Sequence, residues 1–211
     1  MDYLLATWQT VYMSFVSAFF ALVIGLPLGV ILVLTDTGGL RENKRVYHIL
    51  DAIINVFRSI PILILIIMLF PLSRFIVGRS TGTTAVIVPL VISAAPFVAR
   101  IMEQSLNELD SGVIEAAKSM GVSQYTMVRH VMLPEAMPSI VNGVTIVLIN
   151  LIGYSAIAGA IGGGGLGDLA LQFGYYRRDT KALYIAVIII IALVQIVQIS
   201  GNAIRKALDK K

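Results

Sequence analysis

The sequence predicts an all-α membrane protein with five transmembrane helices, on three observations. The chain has 211 residues, of which 57% are hydrophobic and only 13% charged, where a soluble domain carries about 25% charged residues. Its mean hydropathy is +0.88. The apolar residues gather into five segments long enough to cross a bilayer, and none shows the alternation of a membrane β-barrel.

A spanning helix needs roughly 20 mostly apolar residues to cross a hydrocarbon core about 30 Å thick. Five segments meet this: about Thr7–Leu34, Ile49–Ile76, Thr84–Met102, Pro138–Ile161 and Ala182–Ile204. The second is interrupted by Arg58, Pro61 and Pro71. Backbone polar groups in lipid must pair within their own segment, so each is expected to be helical. Together they form a single membrane domain over 1–211.

Orientation follows the Lys/Arg bias of the short loops. Arg41, Lys44, Arg45, Lys118, Arg129, Arg205, Lys206, Lys210 and Lys211 fall on one side, with Arg58 and Arg100 near its boundary. The other side holds the smaller set Arg74, Arg79, Arg177, Arg178 and Lys181. The first side is therefore expected to be cytoplasmic, with the N-terminus outside and the C-terminus inside. The net charge of +4 then reflects basic cytoplasmic loops and does not call for nucleic acid as a partner.

One cytoplasmic loop, Leu106–Pro138, is too patterned for a linker. Asp110 or Ser111 can cap a helix, with Glu115 expected in its first turn, where a carboxylate suits the helix dipole. Gly121 can take the left-handed conformation that ends that helix. Ser123 can cap a second short helix, which Pro134 is expected to close.

Glu115-Ala116-Ala117, three residues, Gly121, nine residues, then Val131-Met132-Leu133-Pro134 resembles the EAA motif of ABC importer permeases. The spacing matches throughout, and the one departure is Val131 where the motif has Ile. The small Ala116 and Ala117 allow close approach of a helix to a partner groove, and Gly121 permits a sharp turn. Glu115 can meet backbone amides or a basic partner, and Leu133-Pro134 sets the angle into the next span. The resemblance implies that these residues form the surface that couples to a separate ATPase.

The likeness extends along the chain. Asn55–Pro61, Ile87–Leu90, Ala94–Arg100 and Gly153–Ala156 through Gly162–Gly167 are similar to the methionine-type branch of that family, which also has five spans. The resemblance implies a bacterial inner-membrane importer of methionine in either enantiomer. It implies a homodimer of this subunit, two copies of a separate ATPase carrying ATP and Mg, and a substrate-binding lipoprotein or periplasmic protein outside. This chain would then be no enzyme and would bind no cofactor or metal itself. A permease for another small polar solute is an alternative, and an ATP-independent carrier or channel a further one.

The remaining polar features bear on the path. Asn150 and Tyr154 are four apart and share a helix face; with Ser155 they form the candidate translocation path, the other reading being contact between helices. Asn142 lies in the same span, and Gln195 and Gln198 in the fifth read as helix–helix or dimer contacts. Gly162, Gly163, Gly164 and Gly165 read either as a flexible outer loop or as an outer gate. With Leu166-Gly167 they satisfy G-x-G-x-x-G formally, but they follow a spanning helix and not a strand, so a dinucleotide site is excluded. No G-x-x-x-x-G-K-[ST] occurs, so the chain does not hydrolyse ATP itself.

Arg58 and Arg100 are expected to snorkel to the cytoplasmic boundary, pairing with Glu103, Glu108 or Asp51 being the alternative. Gly25 and Gly29 form a small-xxx-small pair that favours close helix packing. His48 and His130 stand alone, and with no cysteine the chain offers neither thiolate chemistry nor a disulfide. No paired carboxylates lie deep in a span, which argues against a proton-coupled carrier.

Overall fold

A computed structural model describes residues 2–209. Lys210 and Lys211 of the basic tail, and Met1, lie outside the described residues. Every regular element among the described residues is helical. Four helices are long and apolar enough to cross a membrane by themselves. They are α1 (Tyr3–Thr35), α5 (Thr83–Asn107), the continuous rod Gln124–Ala160, and α10 (Thr180–Leu208).

Helix ends extend past the apolar runs because side chains cap them. Asp2 accepts from the amide of Leu5, and Asp179 from that of Ala182. α5 is the central helix. Most of its length is buried, and it packs along α1, with α8 (Leu133–Ala160) on its other flank. Pro89 and Pro96 lie within it, where neighbouring helices offset the lost backbone bonds.

Gly25 and Gly29 set the distance of α1 from α5. A Cβ on Gly25 would lie 2.6 Å from the Ala95 carbonyl oxygen, and one on Gly29 would lie 2.4 Å from Cβ of Met102. The small-xxx-small pair is therefore a backbone-to-backbone contact. Around it the core is built from Met13, Leu90, Val98, Met102, Val147 and Leu151.

The predicted second span is not one helix. Its residues divide into α2 (Lys44–Ser59), α3 (Ile62–Met68) and α4 (Phe70–Val77), and α2 and α3 meet at 100°. The cause is local. Pro61 has no amide hydrogen and forces Ile60 into an extended conformation (φ −81°, ψ 124°), so α2 must stop. Pro71 then opens α4, and Gly78 ends it at φ +81°. Taken together, α2 and α3 can count as one broken span, which gives up to five.

The bundle has two distinguishable ends. One holds the start of α1, the glycine-rich turn after α8, and the starts of α5 and α10. There the amides of Gly165 and Leu166 donate to Gln9 and Thr10. The other holds the Leu106–Pro138 loop, tied to the α1–α2 connection by Gln124 Nε2 donating to the Leu40 carbonyl at 3.0 Å.

Candidate functional site

The helix–turn–helix of the Leu106–Pro138 loop forms as its caps dictate. Asp110 caps α6 (Ser111–Ser119) by accepting from the Gly112 amide at 2.7 Å. Gly121 takes φ +69° and its amide donates to the Lys118 carbonyl. Ser123 caps α7 (Gln124–Thr126) through the Thr126 amide.

Two details differ from expectation. With Asp110 as the cap, Glu115 falls in the second turn of α6, and no acid occupies the first. Pro134 does not close the second helix. A π-helical segment, Met127–Met132, carries the chain from α7 directly into α8. Its wider turns move the backbone bonding by one residue, as in the Leu133 amide donating to the Val128 carbonyl, and Pro134 then sits in the first turn of α8 where no donor is needed.

The motif residues divide by exposure. Ala117, Met127 and Met132 are buried, and Val131 and Leu133 pack partly against the core. Glu115, Ala116, Gly121 and Pro134 are exposed. Among the described residues the Glu115 carboxylate has no hydrogen bond or ion pair. Met120 is 75% exposed and Tyr125 69%, and Met120 lies one turn beyond the exposed Ala116 on the same face. A Cβ on Gly121 would meet nothing within 4 Å, so only its positive φ restricts the position.

A cavity of about 360 Å³ opens where the broken second span crosses α5 and α8. Asn150 and Tyr154 line it, as their shared face predicts. Ser155 does not. It is buried, and its hydroxyl donates to the Ile152 carbonyl of its own helix at 2.7 Å. The sequence alone did not single out Ser93, Phe57 and Phe97 as lining residues. The Pro61 break was the available signal, because a broken membrane helix is where polar groups meet a path.

Arg58 stands in this wall, with its guanidinium 5.9 Å from the Phe97 ring. Arg100 does not snorkel. It pairs with Asp51 on α2 and with Glu103 one turn along α5 at 2.5 Å, and bonds Asn55 at 3.1 Å. Tyr47 donates to Glu103 at 3.2 Å and completes the network. Glu108 instead accepts from Gln104 and Ser139.

The glycine-rich turn is packed and not loose. The Gly82 amide donates to the Gly162 carbonyl, and the Gly163 amide to that of Ala158. A Cβ on Gly165, at φ +82°, would lie 2.7 Å from Thr10 Oγ1, and one on Gly163 2.7 Å from the Ala158 oxygen. Gly165 begins α9 (Gly165–Leu169), so the flexible-loop reading gives way to a turn clamped between α1 and α5. Asn142 is exposed, and so is Gln195; Gln198 bonds Asn202 on its own helix. His130 is exposed and His48 stacks edge-on against Tyr47. Among the described residues no group of His, Asp and Glu could hold a metal.

Known proteins share both sequence and fold. Residues 22–211 match the family described as the binding-protein-dependent transport system inner membrane component. The chain is 47% identical over 208 residues to a probable D-methionine transport system permease protein of Vibrio cholerae, covering 99% of this chain and 92% of the relative. It is 48% identical to the methionine import system permease protein of Bacillus subtilis, covering 98% and 93%. An inward-facing structure of the MetNI methionine ABC transporter superposes with a TM-score of 0.97 at 44% identity, covering 99% of this chain and 96% of that one. The architecture is that of a type I ABC permease in a multi-pass membrane protein. A match over most of the chain, near-full-length identity and the same fold agree: this chain belongs to the family of binding-protein-dependent transport system inner membrane components.

Proposed function

We propose that this chain is the permease subunit of an ATP-driven methionine importer in the bacterial inner membrane, accepting both enantiomers. What carries the reading is its near-full-length likeness to permeases named for methionine transport, joined to an EAA motif whose Glu115 and Ala116 side chains are exposed. Two copies pair with each other and with two ATPase subunits, which hold ATP and Mg. A binding protein docks at the end bearing Gly162–Gly165, which faces outside with the N-terminus, and the C-terminus is cytoplasmic.

In this reading Glu115, Ala116, Ala117, Gly121, Val131, Leu133 and Pro134 form the coupling surface. The continuous rod Gln124–Ala160 gives the coupling a mechanical basis. A displacement applied near Tyr125 is carried along one uninterrupted helical run, through the π-helical turns, to Asn150 and Tyr154. ATP closes the ATPase dimer, the rods follow, and the cavity changes its side of access. This is a rigid-body switch between two states, biased by differential contacts. Gly162–Gly165 serves as the outer gate by coupling the end of α8 to α1.

Two measurements test it. Ligand-loaded binding protein should stimulate the assembled complex's ATPase with methionine and not with other amino acids. Stimulation by a different solute alone would reassign the cargo, and uptake by the permease alone on an ion gradient would replace the class. Glu115→Lys and Gly121→Val should each cut uptake at least ten-fold while the protein still inserts. The first removes a carboxylate from the contact, and the second adds a β-branched side chain at positive φ, roughly 1–3 kcal/mol of strain. Normal uptake by both would show that the loop does not couple.

A further inference from the structure

We propose that the α2–α3 break, α5 and α8 form a carboxylate-binding site within the permease, in which Arg58 holds the α-carboxylate of the passing amino acid. The proposal rests on the import reading above and gives it a residue-level contact.

The cavity of about 360 Å³ is of small-molecule size. Its wall is divided chemically. Arg58, Ser93, Asn150 and Tyr154 supply polar groups, while Phe57 and Phe97 are among the apolar remainder. No acidic side chain lines it. Arg58 is the one charged group in the wall, and its recorded contact is the Phe97 ring, not a carboxylate. Arg100, its counterpart in sequence, is by contrast paired through both terminal nitrogens with Asp51 and Glu103. The nearby acids are thus used up, and Arg58 keeps free donors for an incoming anion. A guanidinium presents a planar donor fork that fits a carboxylate bidentately, and it is more weakly hydrated than an ammonium.

The other pole of the ligand also finds partners. α2 ends at Ser59 because Pro61 follows; the Phe57 carbonyl takes the Ile60 amide at 3.4 Å, and among the described residues no backbone amide outside the helix donates to the carbonyls of Arg58 and Ser59. Arg58 lines the same wall as Asn150 and Tyr154, and its carbonyl with their side-chain oxygens offers acceptors to an ammonium. The aromatic rings accept a flexible apolar side chain. The site therefore suits a zwitterionic amino acid with an apolar side chain, and disfavours a cationic one.

The chain has no cysteine, which permits a clean test. Arg58→Cys is assembled with the ATPase and binding protein in proteoliposomes, and uptake is measured on whichever amino acid the wild-type complex imports. Uptake should fall at least ten-fold while ATPase stimulation by the loaded binding protein persists. An ethylammonium methanethiosulfonate should then restore uptake to within about three-fold of wild type, and an ethylsulfonate reagent should not. Wild-type complex treated with each reagent is the control. Unchanged uptake, equal effects of the two reagents, or joint loss of ATPase stimulation would each overturn the proposal. Import of a different amino acid by the wild type would correct the cargo while leaving the Arg58 result readable, and import of none would overturn both.

Discussion

Gly29→Leu is expected to prevent α1 from seating on α5 and so to abolish a stable bundle. The Cβ alone would lie 2.4 Å from Cβ of Met102 and 2.6 Å from the Ala99 carbonyl oxygen. Backbone atoms cannot swing aside as a flexible side-chain end can. Gly29→Ala should therefore already cost about 1–3 kcal/mol as overpacking, and leucine more, because the helices must separate. Separation is severe here because lipid tails are as apolar as the helix surfaces. The pair is held by close packing and hydrogen bonds, with little hydrophobic drive. Thermal unfolding of the detergent-purified complex, with the amount recovered from membranes, measures the effect. Gly153→Ala is the control. Its added Cβ meets nothing within 4 Å, and replacing a helical glycine should be neutral or gain up to about 1 kcal/mol. Equal behaviour of Gly29→Leu and Gly153→Ala would show that the contact does not hold the bundle.

Arg100→Ala is expected to be the most damaging single change in a charged residue. The Glu103 side chain is only 7% exposed and depends on Arg100 and Tyr47 for its partners. Removing one member of a buried ion pair costs roughly 3–5 kcal/mol, since the other charge is left uncompensated. The low end applies, because Asp51 is 29% exposed and water can reach it. The test is a rescue. Arg100→Met combined with Glu103→Gln and Asp51→Asn leaves no stranded charge and should recover most of the lost stability. Strongly non-additive losses on unfolding are the expected result. Simple additivity would show that the three side chains act independently.

The same network shows why part of this molecule was readable in sequence and part was not. Asp110, Gly121 and Ser123 each act within three residues of themselves, so their caps and turn could be assigned from the chain alone. The shared face of Asn150 and Tyr154 is likewise a property of helical spacing. Pro134 misled because its effect depends on the π-helical turns before it. Glu115 moved by one turn because two residues could have been the cap, and Asp110 took the role.

By itself the sequence determined the helical class, the long apolar helices, the α6–α7 turn and the motif that marks the family. These follow from composition, from period and from groups only a few bonds apart. The tertiary structure decided that Arg100 is paired and Arg58 is not, that Ser93 lines the cavity while Ser155 bonds within its own helix, and that Gly162–Gly165 is clamped. It also decided that the second apolar segment bends through 100° between α2 and α3. The physical reason is separation along the chain. Arg100 and Asp51 are 49 residues apart, and Leu166 and Thr10 are 156 apart. No local preference brings such groups together: they meet because α1, α2, α5 and α8 have first packed.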